Sequence, residues 1–249
     1  MKGSARLAIA MAGGRAYARD VHAEPPFAIR RAGERFLVVG SAAAPVCGDD
    51  LALTIDVDAG ATALLGTVAA TLVWPGPSGR GGGPPSRLAT TITLGAGAHV
   101  EWRPEPTVSV AGSDHVADTR VVLGPGATCL IVEEFSLGRH AESSGRLTTG
   151  LRVVRDGVPL VHHGEAFGPD LPGAGSVSRI AAARHVLAMV IVGPPAGPPA
   201  TLLDLPDVAA ARLAVADDVA VILAAGPDRP AVLAVWERLA TPARSGAGT

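Results

Sequence analysis

A thiol and two carboxylates share one turn at Cys47-Gly48-Asp49-Asp50, immediately before the apolar strand pattern that opens at Leu51. One Asp suffices to cap such a turn. The surplus brings soft and hard donors within reach of a divalent first-row metal. Glu133-Glu134 is a second such place, two adjacent carboxylates following Cys129-Leu130-Ile131-Val132 and preceding Phe135. Side chains alternate across a strand, so one of the two faces the interior. There a carboxylate needs a cation, hydrogen bonds or a metal. An arginine such as Arg120 or Arg139 would satisfy it structurally, and a functional cation would do so equally. Among the seven histidines only His162-His163 are adjacent. On a strand they point to opposite faces and cannot share an ion without a bulge. Gly112-Ser113-Asp114-His115 reads as a surface loop whose Asp and His form either a solvated turn or a ligand pair.

The established catalytic patterns are missing from the sequence: no GxSxG, HExxH, GxxxxGK[ST] or helix-opening GxGxxG, and no cysteines at zinc spacing. Lys2 is the only lysine, which leaves almost no place for a Schiff base or a phosphate-binding lysine. The formal charge is −2, from 21 Lys and Arg against 23 Asp and Glu, and this removes the electrostatic basis for non-specific nucleic-acid binding. Aromatic residues at 3% leave few stacking platforms for bases or sugars. Cys47 and Cys129 cannot make a disulfide framework, and a reducing, cytoplasmic location is the expectation. No apolar run reaches the roughly 18 residues of a membrane-spanning helix. The segment Leu7–Ala12, after Lys2 and Arg6, is short for a signal peptide, and Arg15 intervenes before the cleavage-like Ala16-Tyr17-Ala18; a short N-terminal strand is expected instead.

Strands and tight turns must position these groups. Leu51, Leu53, Ile55 and Val57 alternate with small or polar residues, the pattern of a half-buried strand. Similar runs occur at Arg35–Ser41, Leu88–Leu94, Ala117–Leu123, Ala127–Leu137 and Arg146–Asp156, and Asp156-Gly157 signals a hairpin. A short motif recurs as Asp58-Ala59-Gly60-Ala61, Gly95-Ala96-Gly97-Ala98 and Gly124-Pro125-Gly126-Ala127. Its turns lie 37 and 29 residues apart, counted from Gly60 to Gly97 to Gly126, a spacing that suits stacked hairpins in a coil or a sandwich. Toward the C-terminus, Ala211–Ala216 and Val219–Ala225 flank a second hairpin turn. Asp228-Arg229-Pro230 opens a helix with Val232, Val235, Trp236 and Leu239 on one face. Arg179–Val192 fits either a helix or a buried strand.

The expected fold is therefore mainly β: stacked antiparallel strands and hairpins resembling a β-helix, with one or two helices toward the C-terminus. A single domain of 249 residues is expected. It comprises a β-rich body at 1–192 with a flexible loop at 75–86, a Gly/Pro linker at 193–200, and a hairpin-plus-helix part at 201–249 with a disordered tail at 242–249.

His22-Ala23-Glu24-Pro25-Pro26-Phe27, then Gly48-Asp49-Asp50-Leu51, Gly60-Ala61, Trp102-Arg103-Pro104-Glu105-Pro106 and Glu134 before Leu137-Gly138-Arg139 occur in that order. In this the chain resembles the urease accessory protein UreD family, called UreH in some organisms. The resemblance is close over Val21–Gly168 and loose in the C-terminal third. It implies a non-enzymatic chaperone that binds UreF, through it the GTPase UreG, and with them delivers nickel to the urease apoprotein. Nickel would be a transient cargo, with no permanently bound cofactor. Carried over residue by residue, the resemblance marks Asp49, Asp50, Glu105 and Glu134 as a nickel path; Cys47 and His115, read from the residues alone, are candidate additional donors. Carboxylates suit transit, because several Cys or His ligands would hold Ni²⁺ too tightly for release. Cys47 stands where the family's turn carries its first glycine, a departure from the pattern.

Two other readings compete. A β-repeat scaffold that binds protein without handling metal would scatter its acidic residues over the surface. A metal-dependent hydrolase would bring Asp114, His115 and a third ligand together in an open pocket.

Overall fold

The computed structural model describes residues 1–76, 83–174, 176, 180, 183–193, 201–205 and 207–240. Much of the 75–86 loop, the 194–200 segment and the 242–249 tail lie outside the described residues.

In chain order the first strands are β1 (Lys2–Ala12), β2 (Arg15–Ala23), β3 (Phe27–Ala32), β4 (Arg35–Gly40), β5 (Asp50–Val57) and β6 (Thr62–Thr67). They are followed by β7 (Thr71–Val73), β8 (Ser86–Leu94), β9 (His99–Arg103), β10 (Thr107–Ser109), β11 (Asp114–Leu123) and β12 (Thr128–Leu137). The remainder are β13 (Arg146–Arg155), β14 (Val158–Phe167), β15 (His185–Val192), β16 (Thr201–Leu205), β17 (Val208–Ala216), β18 (Val219–Gly226) and the helix α1 (Arg229–Ala240).

Two sheets face each other. The first runs β14-β13-β11-β8-β5-β1-β2, and the second runs β16-β17-β18-β15-β12-β9-β6-β4-β3 with the short β7 and β10 beside it. The fold is mainly β, as the alternation predicts. Antiparallel hairpins form at β1–β2, β3–β4, β13–β14 and β17–β18. The middle of each sheet is instead parallel: β5, β8, β11 and β13 in one, β4, β6, β9 and β12 in the other. Stacked hairpins alone would not give this. Each repeat of the short motif carries the chain from one sheet to the other, so successive passes return in the same direction.

The motif itself stacks. Gly60, Gly97 and Gly126 all hold positive φ, where a side chain is strained. The Gly60 N–H bonds to Ala96 O and the Gly97 N–H to Pro125 O, turn upon turn, at 2.9 and 2.8 Å. A Cβ on Gly95 would stand 2.6 Å from Ala59 N, so the spacing between turns requires glycine there. Above these turns Leu7, Ile55, Ile92, Val121 and Val153 lie side by side across the first sheet, all buried. Ala63, Val100 and Cys129 face them from the second.

Arg179–Val192, left between helix and strand by its sequence, contains β15, buried over nearly its whole length. One helix is found among the described residues. Asp228 Oδ1 accepts the Ala231 N–H at 2.9 Å at its start, an N-terminal cap. Val232, Val235 and Leu239 bury its apolar face against β15, β17 and β18.

Candidate functional site: a carboxylate-lined cavity between the sheets

The sheets part where the second ladder is broken. β9 pairs with β12 only as far as Trp102↔Ile131, and β10 resumes at Thr107↔Phe135. Val132, Glu133 and Glu134 therefore face the interruption Arg103-Pro104-Glu105-Pro106, in which neither proline has an N–H to give a ladder. The Glu105 N–H bonds Thr67 Oγ1 at 2.8 Å and Pro106 O accepts the Thr71 N–H at 2.9 Å, which holds the interruption in place. Behind it lies a cavity of about 400 Å³ lined by Glu105, Glu133, Glu134, Thr90, Thr119 and Trp102 among others. A second cavity, of about 320 Å³, shares Glu133 and Phe135 with the first and extends to Thr149, His163 and Glu165.

The two adjacent glutamates are both buried, at 6% and 7% exposure, but on opposite faces of β12. Glu133 follows Cys129 and Ile131 toward the first sheet; Glu134 follows Val132 toward α1. Burial pushes the Glu133 carboxyl up to about 7, a hydrogen bond from Thr119 offsetting this in part. No ion pair to Glu133 is formed among the described residues. At Glu134 burial pushes the carboxyl up, but contacts with His185 and Arg229 outweigh it and hold the group below its ordinary value. Arg229 Nε stands 2.7 Å from Glu134 Oε2 and its Nη1 3.2 Å from Glu105 Oε2. The expected partners of a buried glutamate were Arg120 or Arg139. Arg139 is instead engaged by Glu142, at 2.8 Å, and the cation comes from the first residue of α1, 95 positions away.

The other marked residues fall elsewhere. Asp49 is buried and spends its carboxylate on the Met1 ammonium and on the Val46 N–H, the latter at 2.8 Å, while Asp50 is exposed at the start of β5. Cys47 is half-buried and its thiol donates to Pro84 O at 2.9 Å. None of these three lines either cavity. His115 is not on a surface loop: it lies within β11, fully buried, its Nδ1 2.9 Å from Ser86 Oγ, and burial pushes its imidazole down to about 4. Its neighbour Asp114 lies on the opposite face of the strand, so the pair does not converge as the hydrolase reading requires. Among the described residues no three His, Cys, Asp or Glu side chains gather closely enough to hold a metal ion. Burial pushes the Cys129 thiol up to about 12, which removes it as a thiolate ligand.

The sequence marked Glu105 and Glu134: both border the first cavity, but the Glu134 carboxylate turns to the opposite face of β12, toward Arg229. It missed the inward role of Glu133, although alternation assigned one of the pair to the interior. It gave no signal for His185 or Arg229, which reach Glu134 only through tertiary packing.

The family model for UreD urease accessory protein matches residues 1–248. The chain belongs to the UreD family. UreD 3 of Streptomyces griseus subsp. griseus is 38% identical over 212 residues, covering 78% of this chain and 82% of that protein. The UreD of Frankia casuarinae is 35% identical over 205 residues, 76% of this chain and 63% of that protein, and the UreD of Parafrankia sp. is 35% identical over 240 residues, 86% and 76%. Membership in the UreD family makes this an accessory protein of urease maturation rather than a catalyst. Among the described residues no helix is long and apolar enough to cross a membrane.

Proposed function

We propose that this chain acts in the cytoplasm with UreF and UreG to deliver nickel to apo-urease, the ion passing through the space between the sheets. The observation that carries the reading is the cavity behind the proline-interrupted ladder, which Glu133 enters and Glu105 borders, and which adjoins the space lined by His163 and Glu165. Donors spread along a passage bind an ion one or two at a time, with water completing its shell. Such binding is weak enough to be left, which transit requires. Asp49 belongs to the turn anchor rather than to this path, and Asp50 and Cys47 would act only at the surface.

Partner docking has its own support. β16 and β17 stand at one end of the second sheet. Leu213, Val215 and Leu202 are 40%, 50% and 81% exposed there, a patch of the kind that marks protein contact. The same patch favours the second reading, a scaffold that binds protein without handling metal.

The experiment compares urease activity in nickel-supplied cells with and without this chain, urease and the other accessory proteins held constant. Activity only with the chain supports the maturation role; equal activity overturns it. Replacing both Glu133 and Glu105 by Gln separates the two readings. Activation falls at least tenfold if nickel takes the internal path, and is unchanged for a scaffold.

A further inference from the structure

The second cavity, of about 320 Å³, has a floor that the strand register sets in one line. Glu133 on β12 pairs with Ala188, Ala188 with Leu223, Leu223 with Ala211, and Ala211 with Leu202 on the edge strand β16. At about 4.8 Å per strand, this row runs roughly 19 Å from the edge to the inner carboxyl. Burial is graded along it: Leu202 is 81% exposed, Ala211 and Leu223 are half-buried, and Ala188 and Glu133 are each 6% exposed. The neighbouring row is again small, with Ala209 paired to Ala225. Alanines leave a trough where larger side chains would fill the space. Phe135, Phe167, Ile180 and Val186 make its flanks apolar.

The polar groups of the lining are acceptors rather than cations. Glu133, Glu165 and His163 line the cavity, the last two 3.8 Å apart, and among the described residues no arginine or lysine does so. Burial holds the Glu133 carboxyl up at about 7, and a cation beside it would favour its charged form. Apolar walls with a few polar groups are the usual make-up of a small-molecule site, and the volume lies at the lower end of the range for one.

We propose that this trough binds a small amphipathic organic cation, its linear apolar chain lying over Ala211 and Ala188 and its ammonium or guanidinium head at the Glu133 carboxyl. The site stands whether or not nickel uses the adjoining cavity.

The test is isothermal titration calorimetry of the full chain, free of metal, against octylammonium, octanol, octanoate and methylammonium. Octylammonium should bind at least tenfold more tightly than octanol or octanoate, and methylammonium, which lacks the chain, should give no saturable heat. Glu133→Gln should lower octylammonium affinity at least tenfold and leave octanol binding unchanged. Ala211→Phe, which fills the trough, should abolish binding of both. Thermal unfolding checks that each variant folds; should Ala211→Phe not fold, Ala211→Leu carries the same expectation. Octanoate binding as tight as octylammonium overturns the proposal, since the cavity would then select apolar surface without regard to charge. So does octylammonium binding that survives Glu133→Gln or the filled trough, which would place the amine elsewhere, and so does the absence of binding.

Discussion

The same strands behave differently at their two ends. Near the stacked turns, Ile55, Ile92 and Val121 meet Val100 and Cys129 in a closed apolar layer. One inward position further from the turns, the row across the first sheet reads Leu53, Thr90, Thr119, Leu151 and His163. The next reads Leu51, Leu88, Ala117, Thr149 and Glu165. Hydroxyls and small side chains replace aliphatic ones, the opposite ladder is broken at Pro104 and Pro106, and the cavity opens. The packed end supplies stability, and the open end gives up burial to hold Glu133 without a cation. A cavity and a buried carboxylate both cost stability, and the layer beside the turns is where that cost is offset.

Substitutions can break this contrast. Ile92→Ala, in the closed layer, should destabilise the protein by about 2–5 kcal/mol, measured as a lower urea midpoint with unchanged slope; a loss as small as that at the cavity would erase the distinction. Glu133→Gln tests the open end through pH. The folded-state value of Glu133, about 7, lies above the ordinary 4.5, so its penalty is absent below about 4.5, grows as pH rises through this window, and is complete above 7. The variant should therefore gain about 3 kcal/mol relative to wild type between the two limits. Parallel stability–pH curves would contradict the buried, unpaired state.

His115 sharpens the comparison from the opposite direction. Its folded-state value of about 4 lies below the ordinary 6.5, so the stability it contributes is present above 6.5 and is lost as pH falls toward 4. Replacing it with Leu should flatten the acid side of the same curve by on the order of 3 kcal/mol, less whatever the lost Ser86 bond costs. Leu88→Ala, beside the cavity and half-buried already, should cost only about 1 kcal/mol. Leu213→Ser, at an exposed position on β17, should change stability by less than about 0.5 kcal/mol while reducing co-purification with UreF. Retained co-purification would move the docking surface elsewhere.

Much of the framework could be read locally. The alternation at Leu51–Val57 gave β5, the Gly-Ala motif gave three turns that prove to stack, and Asp228 with the apolar spacing of Val232, Val235 and Leu239 gave α1. The direction of pairing was not legible, because an alternating strand has the same pattern whether its neighbour runs parallel or antiparallel. The surface-loop reading of Asp114-His115 failed for a related reason. The turn signal of Gly112-Ser113 was real, but β11 begins at once after it and draws His115 into the interior.

The sequence by itself determined the strand class, the turns, the helix and its cap, the absence of a catalytic signature and the resemblance to UreD. The strands, turns and helix depend on residues a few positions apart, and the resemblance on short motifs and their order along the chain. Tertiary packing decided which glutamate carboxyl enters the cavity and which meets Arg229, that Asp49 anchors the turn, and that His185 stands 3.4 Å from Glu134. Those pairings join residues as far as 95 positions apart. Register and sheet packing bring them together, and no local pattern encodes either.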